Sequence, residues 1–260
     1  MTRPTIEHRT GLWHPRTVAV HPAHTELTDF VASLPERMER EEGVCIHRGR
    51  NILRLLDYDG QQYVVKAFHR PHLINRFVYG VLRPSKAKRS HEMARRLTEQ
   101  GIGTPEPIGY CNVRGWLGIT FHRSYYVSQR SVCTHRYEDL FTHDFPYAEE
   151  VLRAIGRLTA QLHELQWMHK DYGRANILFE RLDDGTIRLE LVDLNRMVAC
   201  RKPVGMVDGC RNFERLPATP QMHRWMAEAY AEARGFDSDT CFRMMQQFRA
   251  TQGGKIDGKY

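Results

Sequence analysis

His169-Lys170-Asp171-Tyr172-Gly173-Arg174-Ala175-Asn176-Ile177-Leu178-Phe179 is the stretch on which the reading of this chain turns. It reads H-x-D-x-x-x-x-N, followed at once by an apolar run with strand character. Phosphoryl transfer explains the spacing. It needs a carboxylate to accept or orient the proton of an attacking hydroxyl, and a side-chain carbonyl across the loop to hold a metal. Asp171 is the candidate for the first task and Asn176 for the second. His169 reads as a loop-packing residue. Taken alone, the pattern is equally open to Asp171 as a helix-end cap and Asn176 as a turn residue.

Immediately upstream, Val151, Ile155, Leu158, Leu162 and Leu165 form an apolar stripe at helical spacing, predicting a helix from about Tyr147 to Gln166. Its end gives the loop a rigid base, and His163 falls on it as a surface or core residue. Downstream, Ile177–Phe179 and Ile187–Val192 read as a hairpin turned at Asp183-Asp184-Gly185. The second arm runs into Leu191-Val192-Asp193-Leu194-Asn195. An acid at the end of an apolar strand can reach the same magnesium as Asn176, although Asp193 alone also reads as a turn former. One further helical region is expected from about Pro220 to Arg249, with a flexible tail from about residue 252.

The first half is strand-like. Val44–His47, Ile52–Tyr58 and Tyr63–Phe68 are separated by Arg48-Gly49-Arg50-Asn51 and by Asp59-Gly60, the latter a hairpin signal. Lys66 stands among apolar neighbours in Tyr63-Val64-Val65-Lys66-Ala67-Phe68. It can serve as a compact charge for nucleotide phosphates or as a solubilising edge lysine. Arg48–Asn51 is the candidate phosphate-covering turn, with a single glycine. A helix opens at Ser85, its N-cap, and stops near Gly101, with Ala87, Ser90, Ala94 and Leu97 on one face. Strands follow at about Ile108–Asn112 and Leu117–Ser128, turned at Arg114-Gly115. The first forty residues mix Pro, His and charge and are expected to pack loosely.

The bulk numbers admit this outline. The chain has 260 residues, 41% of them hydrophobic and 27% charged, with a mean hydropathy of -0.56. No apolar run approaches the roughly 20 residues of a membrane span, and Met1–Thr10 lacks the apolar core of a secretory signal. The six cysteines include no CxxC pair, so reduced thiols in a cytoplasmic protein are expected. There is no HExxH and no compact His/Cys cluster in sequence. A net charge of +7 suits an anionic partner, whether nucleotide, phosphorylated lipid or nucleic acid, without choosing among them. No nucleic-acid motif is present, and no nucleic-acid partner is expected.

In this order the pieces resemble a protein kinase, with Lys66 in the place of the Val-Ala-Ile-Lys lysine and Asp193 in that of the Asp-Phe-Gly aspartate. The expected fold is α+β and protein-kinase-like, bilobal, with a small antiparallel β-sheet N-lobe carrying one helix and a mainly helical C-lobe. The expected domains are residues 1–130, nucleotide-binding, with 1–42 as an N-terminal extension, and residues 131–260, catalytic.

More narrowly, the chain resembles the lipopolysaccharide kinase family of Kdo and inner-core heptose kinases. The resemblance spans about residues 43 to 215. It rests on Val64-Val65-Lys66-Ala67-Phe68, Arg83-Pro84-Ser85-Lys86-Ala87, Gly101-Ile102-Gly103-Thr104-Pro105-Glu106-Pro107-Ile108, the 169–179 loop and Leu191-Val192-Asp193. It implies ATP- and Mg2+-dependent phosphorylation of a Kdo or heptose hydroxyl in the lipid A–core region. The setting would be the cytoplasmic face of the inner membrane. Asp171 would be the base, Lys66, Asn176 and Asp193 the nucleotide-binding residues, and Asn176 and Asp193 the metal ligands.

There are departures. Asp-Leu-Asn replaces Asp-Phe-Gly. The glutamate that normally pairs with the strand lysine would fall at Ser90, while Glu92 is better read as a surface partner of Lys88 or Arg96. Gly173 stands where many kinases have a lysine, with Arg174 next to it either as substitute or as a solvated side chain. Lys86, Lys88, Arg89, Arg95 and Arg96, with Arg83 before them, fit either an anionic membrane or a solvated helix face. A kinase for another small-molecule or protein acceptor and a pseudokinase binding module stay open on these residues.

Overall fold

The computed structural model describes residues 6–10, 15–69, 84–114 and 121–256. The chain forms two compact units, one of residues 1–98 and 105–131, the other of residues 99–104 and 132–260.

The first unit is built on a seven-stranded antiparallel sheet in the order β1-β2-β6-β7-β5-β4-β3. Its strands are β1 (Ile6–Thr10), β2 (Arg16–Val20), β3 (Val44–Arg48), β4 (Ile52–Tyr58), β5 (Gln61–Phe68), β6 (Pro107–Arg114) and β7 (Phe121–Gln129). The β4–β5 hairpin turns at Asp59-Gly60 with both φ angles positive (49° and 73°), the backbone that Asp-Gly favours in a tight turn. Strand alternation sends Val18 and Val20 to one face and Ala19 to the other. The first face packs on α1 (Thr28–Glu39) through Phe30, Val31 and Leu34, together with Leu56, Val65, Tyr125 and Val127. The second face, with Ala19, Phe68 and Tyr110, receives Ala87 of α2 (Lys86–Glu99).

Two expectations change here. The first forty residues do not pack loosely: Val18, Val20, Phe30, Val31 and Leu34 are all buried. The lobe carries two helices among the described residues rather than one. The short β2 is buried by pairing with β6, and α1, whose Phe30, Val31 and Leu34 fall at helical spacing despite Pro35, is buried against the sheet face.

Around α2 the sequence reading holds. Ser85 Oγ accepts from Lys88 N–H at 3.0 Å as an N-cap, and Ala87, Ser90, Ala94 and Leu97 are buried with His91. Leu117–Thr120, Gly115 and Arg83, on which other expectations fell, lie outside the described residues.

The second unit is mainly helical. Helix α3 (Ala148–Glu164) packs along α5 (Pro220–Arg234), and α6 (Ser238–Ile256) packs on α5 and on α4 (Met206–Asn212). The single helical region expected near the C-terminus is thus two helices, separated at Gly235. The tail expected from residue 252 is helical to Ile256, and residues 257–260 lie outside the described set. Two small antiparallel sheets carry the loops: β10 (Ile177–Arg181) lies between β11 (Ile187–Leu191) and β8 (His135–Arg136), and β9 (Trp167–His169) pairs with β12 (Met197–Ala199).

Candidate active site

The 169–176 loop is anchored by its own interior residues. Tyr172 is buried and its hydroxyl meets Thr159 Oγ1 of α3 at 2.8 Å. The backbone then closes a turn, Asn176 N donating to Gly173 O at 2.9 Å. Just before these fixed points Asp171 stays partly exposed (27%).

His169 joins the loop to the segment after β11. Asp171 N donates to His169 Nδ1 at 3.1 Å, and His169 Nε2 donates to Val192 O at 3.2 Å. One neutral tautomer satisfies both bonds. Burial lowers the His169 pKa, with the Val192 carbonyl and the Asp193 and Asp171 carboxylates opposing it. Val192 N in turn donates to Asn176 O at 3.0 Å, and Lys170 N to Arg196 O at 3.2 Å. The loop and the Asp193 segment are therefore one hydrogen-bonded body.

Within it, Asn176 Nδ2 donates to Asp171 O at 2.8 Å, which leaves the carboxamide oxygen as the atom able to ligate. Asp193 sits in the left-handed region at φ 57°, ψ 46°, a conformation tolerated by Asp but uncommon for a residue with a side chain, and one that clusters at functional sites. Its Oδ1 accepts from Asn195 Nδ2. A carboxylate and a carboxamide oxygen are hard donors of the kind magnesium takes.

Three partners of the loop escaped the sequence reading. Arg215 Nη1 meets Asp171 Oδ1 at 2.7 Å and Arg196 Nη1 meets Oδ2 at 3.3 Å, so the carboxylate is held from two sides. Asn212, at the end of α4, donates Nδ2 to His169 O at 3.0 Å and accepts at Oδ1 from His163 Nε2 at 3.1 Å. The Tyr230 hydroxyl reaches the other ring nitrogen of His163 at 3.0 Å. His163 is buried, and burial pushes its pKa down to about 4. Gly209 makes room for this packing, since a Cβ there would stand 2.0 Å from the Tyr230 hydroxyl. Asn212 and Arg215 lie in Gly209-Cys210-Arg211-Asn212-Phe213-Glu214-Arg215, whose only advance signal was its place at the edge of the stretch resembling the kinase family, and Arg196 follows Asp193 by three positions. Arg174 is exposed and faces Glu138 at 3.5 Å.

In the first unit, Lys66 lies on β5, opposite Leu53 of β4 and Tyr126 of β7, with its Nζ 5.3 Å from the Phe68 ring centre. On α2, Ser90 is buried, and Glu92 pairs with Lys88 at 3.8 Å as an i,i+4 surface couple. The Arg48–Asn51 turn is tied by Gly49 N to Asn51 O at 3.1 Å, and Asn51 Oδ1 accepts from His69 N at 3.3 Å. The structure brings Asp171, Asn176 and Asp193 together in the second unit and places Lys66 in the first.

Comparison with solved structures defines the class. Over 86% of this chain and 92% of the other, the fold matches WaaP in complex with acyl carrier protein at a TM-score of 0.57 and 16% identity. Over 87% and 76% it matches the Rio2 kinase–ADP/Mg2+–phosphoaspartate complex of Chaetomium thermophilum at 0.50 and 18%. The fold is α+β and protein-kinase-like. The model of the Lipopolysaccharide kinase (Kdo/WaaP) family matches residues 39–226, and the chain belongs to that family. It is 27% identical over 200 residues to the 3-deoxy-D-manno-octulosonic acid kinase of Haemophilus influenzae (strain PittEE), spanning 72% of this chain and 78% of that one. It is 28% identical over 195 residues to the enzyme of the same name from Pasteurella multocida (strain Pm70), with the same coverage. The chain is a phosphotransferase with a sugar hydroxyl as acceptor. Among the described residues no helix is long and apolar enough to cross a membrane.

Proposed function

We propose that this chain uses ATP and magnesium to phosphorylate a hydroxyl of Kdo in the lipid A-linked inner core of lipopolysaccharide. The observation that carries the proposal is the Asp171–Asn176–Asp193 body, rigidly tied through His169, in a chain whose relatives are Kdo kinases.

Asn176 and Asp193 would hold magnesium, which would supply the positive charge that neutralises the nucleotide phosphates. The chain's part is to present Asn176 Oδ1 and the Asp193 carboxylate as its ligands. Asp171, steadied by Arg196 and Arg215, takes the proton of the attacking hydroxyl. Its partial exposure leaves room for an acceptor, and the two arginines hold its carboxylate in one orientation. Lys66 supplies a positive charge to the nucleotide phosphates from the first, nucleotide-binding unit, while the second unit is catalytic.

Peripheral contact with an anionic membrane surface, on the cytoplasmic side, belongs to the same proposal, through Lys86, Lys88 and Arg89 on α2. Charge reversal at these three positions is expected to reduce flotation with anionic vesicles, and unchanged flotation removes this part.

The central test is phosphate transfer from ATP to Kdo-lipid A by wild type and Asp171→Ala. Transfer is expected to fall by about 10²- to 10⁴-fold in the variant. Equal transfer by both rejects Asp171 as base. Transfer by neither, with ATP still bound by the wild type, points to another acceptor or to a binding module.

A further inference from the structure

We propose that His21, His24 and Glu106, all in the first unit, form a binding site for a divalent transition-metal cation, with zinc as the reference ion. None of the three is among the residues proposed for phosphoryl transfer. One ligand atom from each lies within 4.8 Å of the others.

The spacing fits coordination better than direct contact. His24 Nε2 and Glu106 Oε1 are 3.4 Å apart, long for a hydrogen bond to a carboxylate. Two ligands at about 2.0–2.1 Å from one tetrahedral zinc ion stand about 3.3 Å apart. The other ring nitrogen, His24 Nδ1, faces Glu26 Oε1 at 3.7 Å. At 3.7 Å this is an ion-pair contact rather than a hydrogen bond, and on coordination the Glu26 carboxylate would have to close on the ring to become the usual outer partner that fixes the tautomer of a metal-bound histidine.

The ligands are held before any ion arrives. Pro22 keeps His21 extended at φ -60°, ψ 137°, and His21 N donates to Ile108 O at 2.7 Å. Pro105 and Pro107 flank Glu106, whose carbonyl accepts from Gln129 N at 2.9 Å. His24 N donates to His21 O at 2.9 Å, closing the turn that brings the two imidazoles together. His21 Nδ1 accepts from Ala23 N at 3.2 Å. Coordination exchanges that bond, either by using Nδ1 itself or by shifting the ring to the tautomer that ligates through Nε2. All three side chains are half-buried, which gives an ion an entry path and leaves a fourth position for water. Two imidazoles and a carboxylate suit zinc and neighbouring transition metals better than magnesium. A bound ion would pin the start of β6 to the turn leading into α1.

The test is calorimetric titration of the chelator-stripped full chain with Zn2+, without nucleotide or magnesium, followed by Co2+ and its visible absorption. A single equivalent of Zn2+ is expected to bind, and Co2+ to give the intense bands of four-coordinate nitrogen and oxygen ligation. Affinity is expected to fall by about 100-fold or more in His24→Ala and Glu106→Gln, and by about tenfold in Glu26→Gln. It should be unchanged in Cys45→Ala, which removes an exposed thiol. Glu106→Gln preserves side-chain shape, so with circular dichroism it decides the matter even if His24→Ala misfolds. Absence of stoichiometric binding in the wild type, or equal affinity in Glu106→Gln, overturns the proposal.

Discussion

The 169–176 loop and the Arg48–Asn51 turn are both proposed to serve the nucleotide and acceptor, yet they are built differently. The loop has a buried tyrosine, a buried histidine bonded at both ring nitrogens, and an asparagine that closes it internally. The turn is tied by the bonds of Gly49 N and Asn51 Oδ1, and Arg48, Gly49 and Arg50 are exposed. Precision at the proposed base comes from packed second-unit residues. The first unit's proposed contribution is an exposed turn and one charge on a strand. Positioning a proton acceptor demands fixed geometry, whereas a point charge acts over a wider range.

The sharpest way to break this contrast is Lys66→Ala. If the charge acts on nucleotide phosphates, the transfer rate falls by about 10²-fold with little change in the unfolding midpoint. A large stability loss without a rate effect on the folded fraction would make the lysine structural.

Next comes Asn212→Leu. It leaves the His163 ring nitrogen and the His169 carbonyl without their partner. Urea unfolding should show a loss of about 1–3 kcal/mol, with a rate decrease, since the His169 carbonyl lies at the base of the loop. An unchanged rate would show that the loop holds its geometry without α4.

Acid separates the units more gently. Burial lowers the pKa of His163, in the second unit, to about 4, and that of His91, in the first, to about 3. Both rings take protons more readily in the unfolded chain. Their contribution is therefore complete above pH 6.5 and is lost as the pH falls toward those values. Stability is expected to drop by about 2 kcal/mol per ring between pH 7 and pH 5, and His163→Leu should flatten the slope. An unaltered slope would mean that the His163 ring has the same pKa in the folded and unfolded chain, so that burial does not lower it.

The smallest effect is expected at Glu92→Ala. Loss of its exposed pairing with Lys88 should change stability by no more than about 0.5 kcal/mol and leave the rate alone. A rate loss equal to that of Lys66→Ala would make Glu92 the partner of the strand lysine.

The comparison also shows what was legible in the residues. Local features were. The Asp59-Gly60 turn, the Ser85 cap and the α2 face, and the core stripe of α3 each depend on neighbours a few positions away. The hairpin that delivers Asp193 was visible for the same reason. Features made by distant segments were not. Loose packing was expected of the first forty residues because they mix Pro, His and charge, and they become core against β6, β7 and the sheet face.

By itself, then, the sequence determined the H-x-D-x-x-x-x-N loop, the strand lysine, the acid after the hairpin and the order in which they occur. Backbone propensity, side-chain period and turn chemistry act over a few residues and can be read directly. The tertiary structure decided that Arg196 and Arg215 flank Asp171, that Asn212 couples His163 to His169, and that Glu106 meets His21 and His24. Those contacts join residues 25 to 85 positions apart. Their geometry follows from how helices and strands pack, which no local pattern encodes.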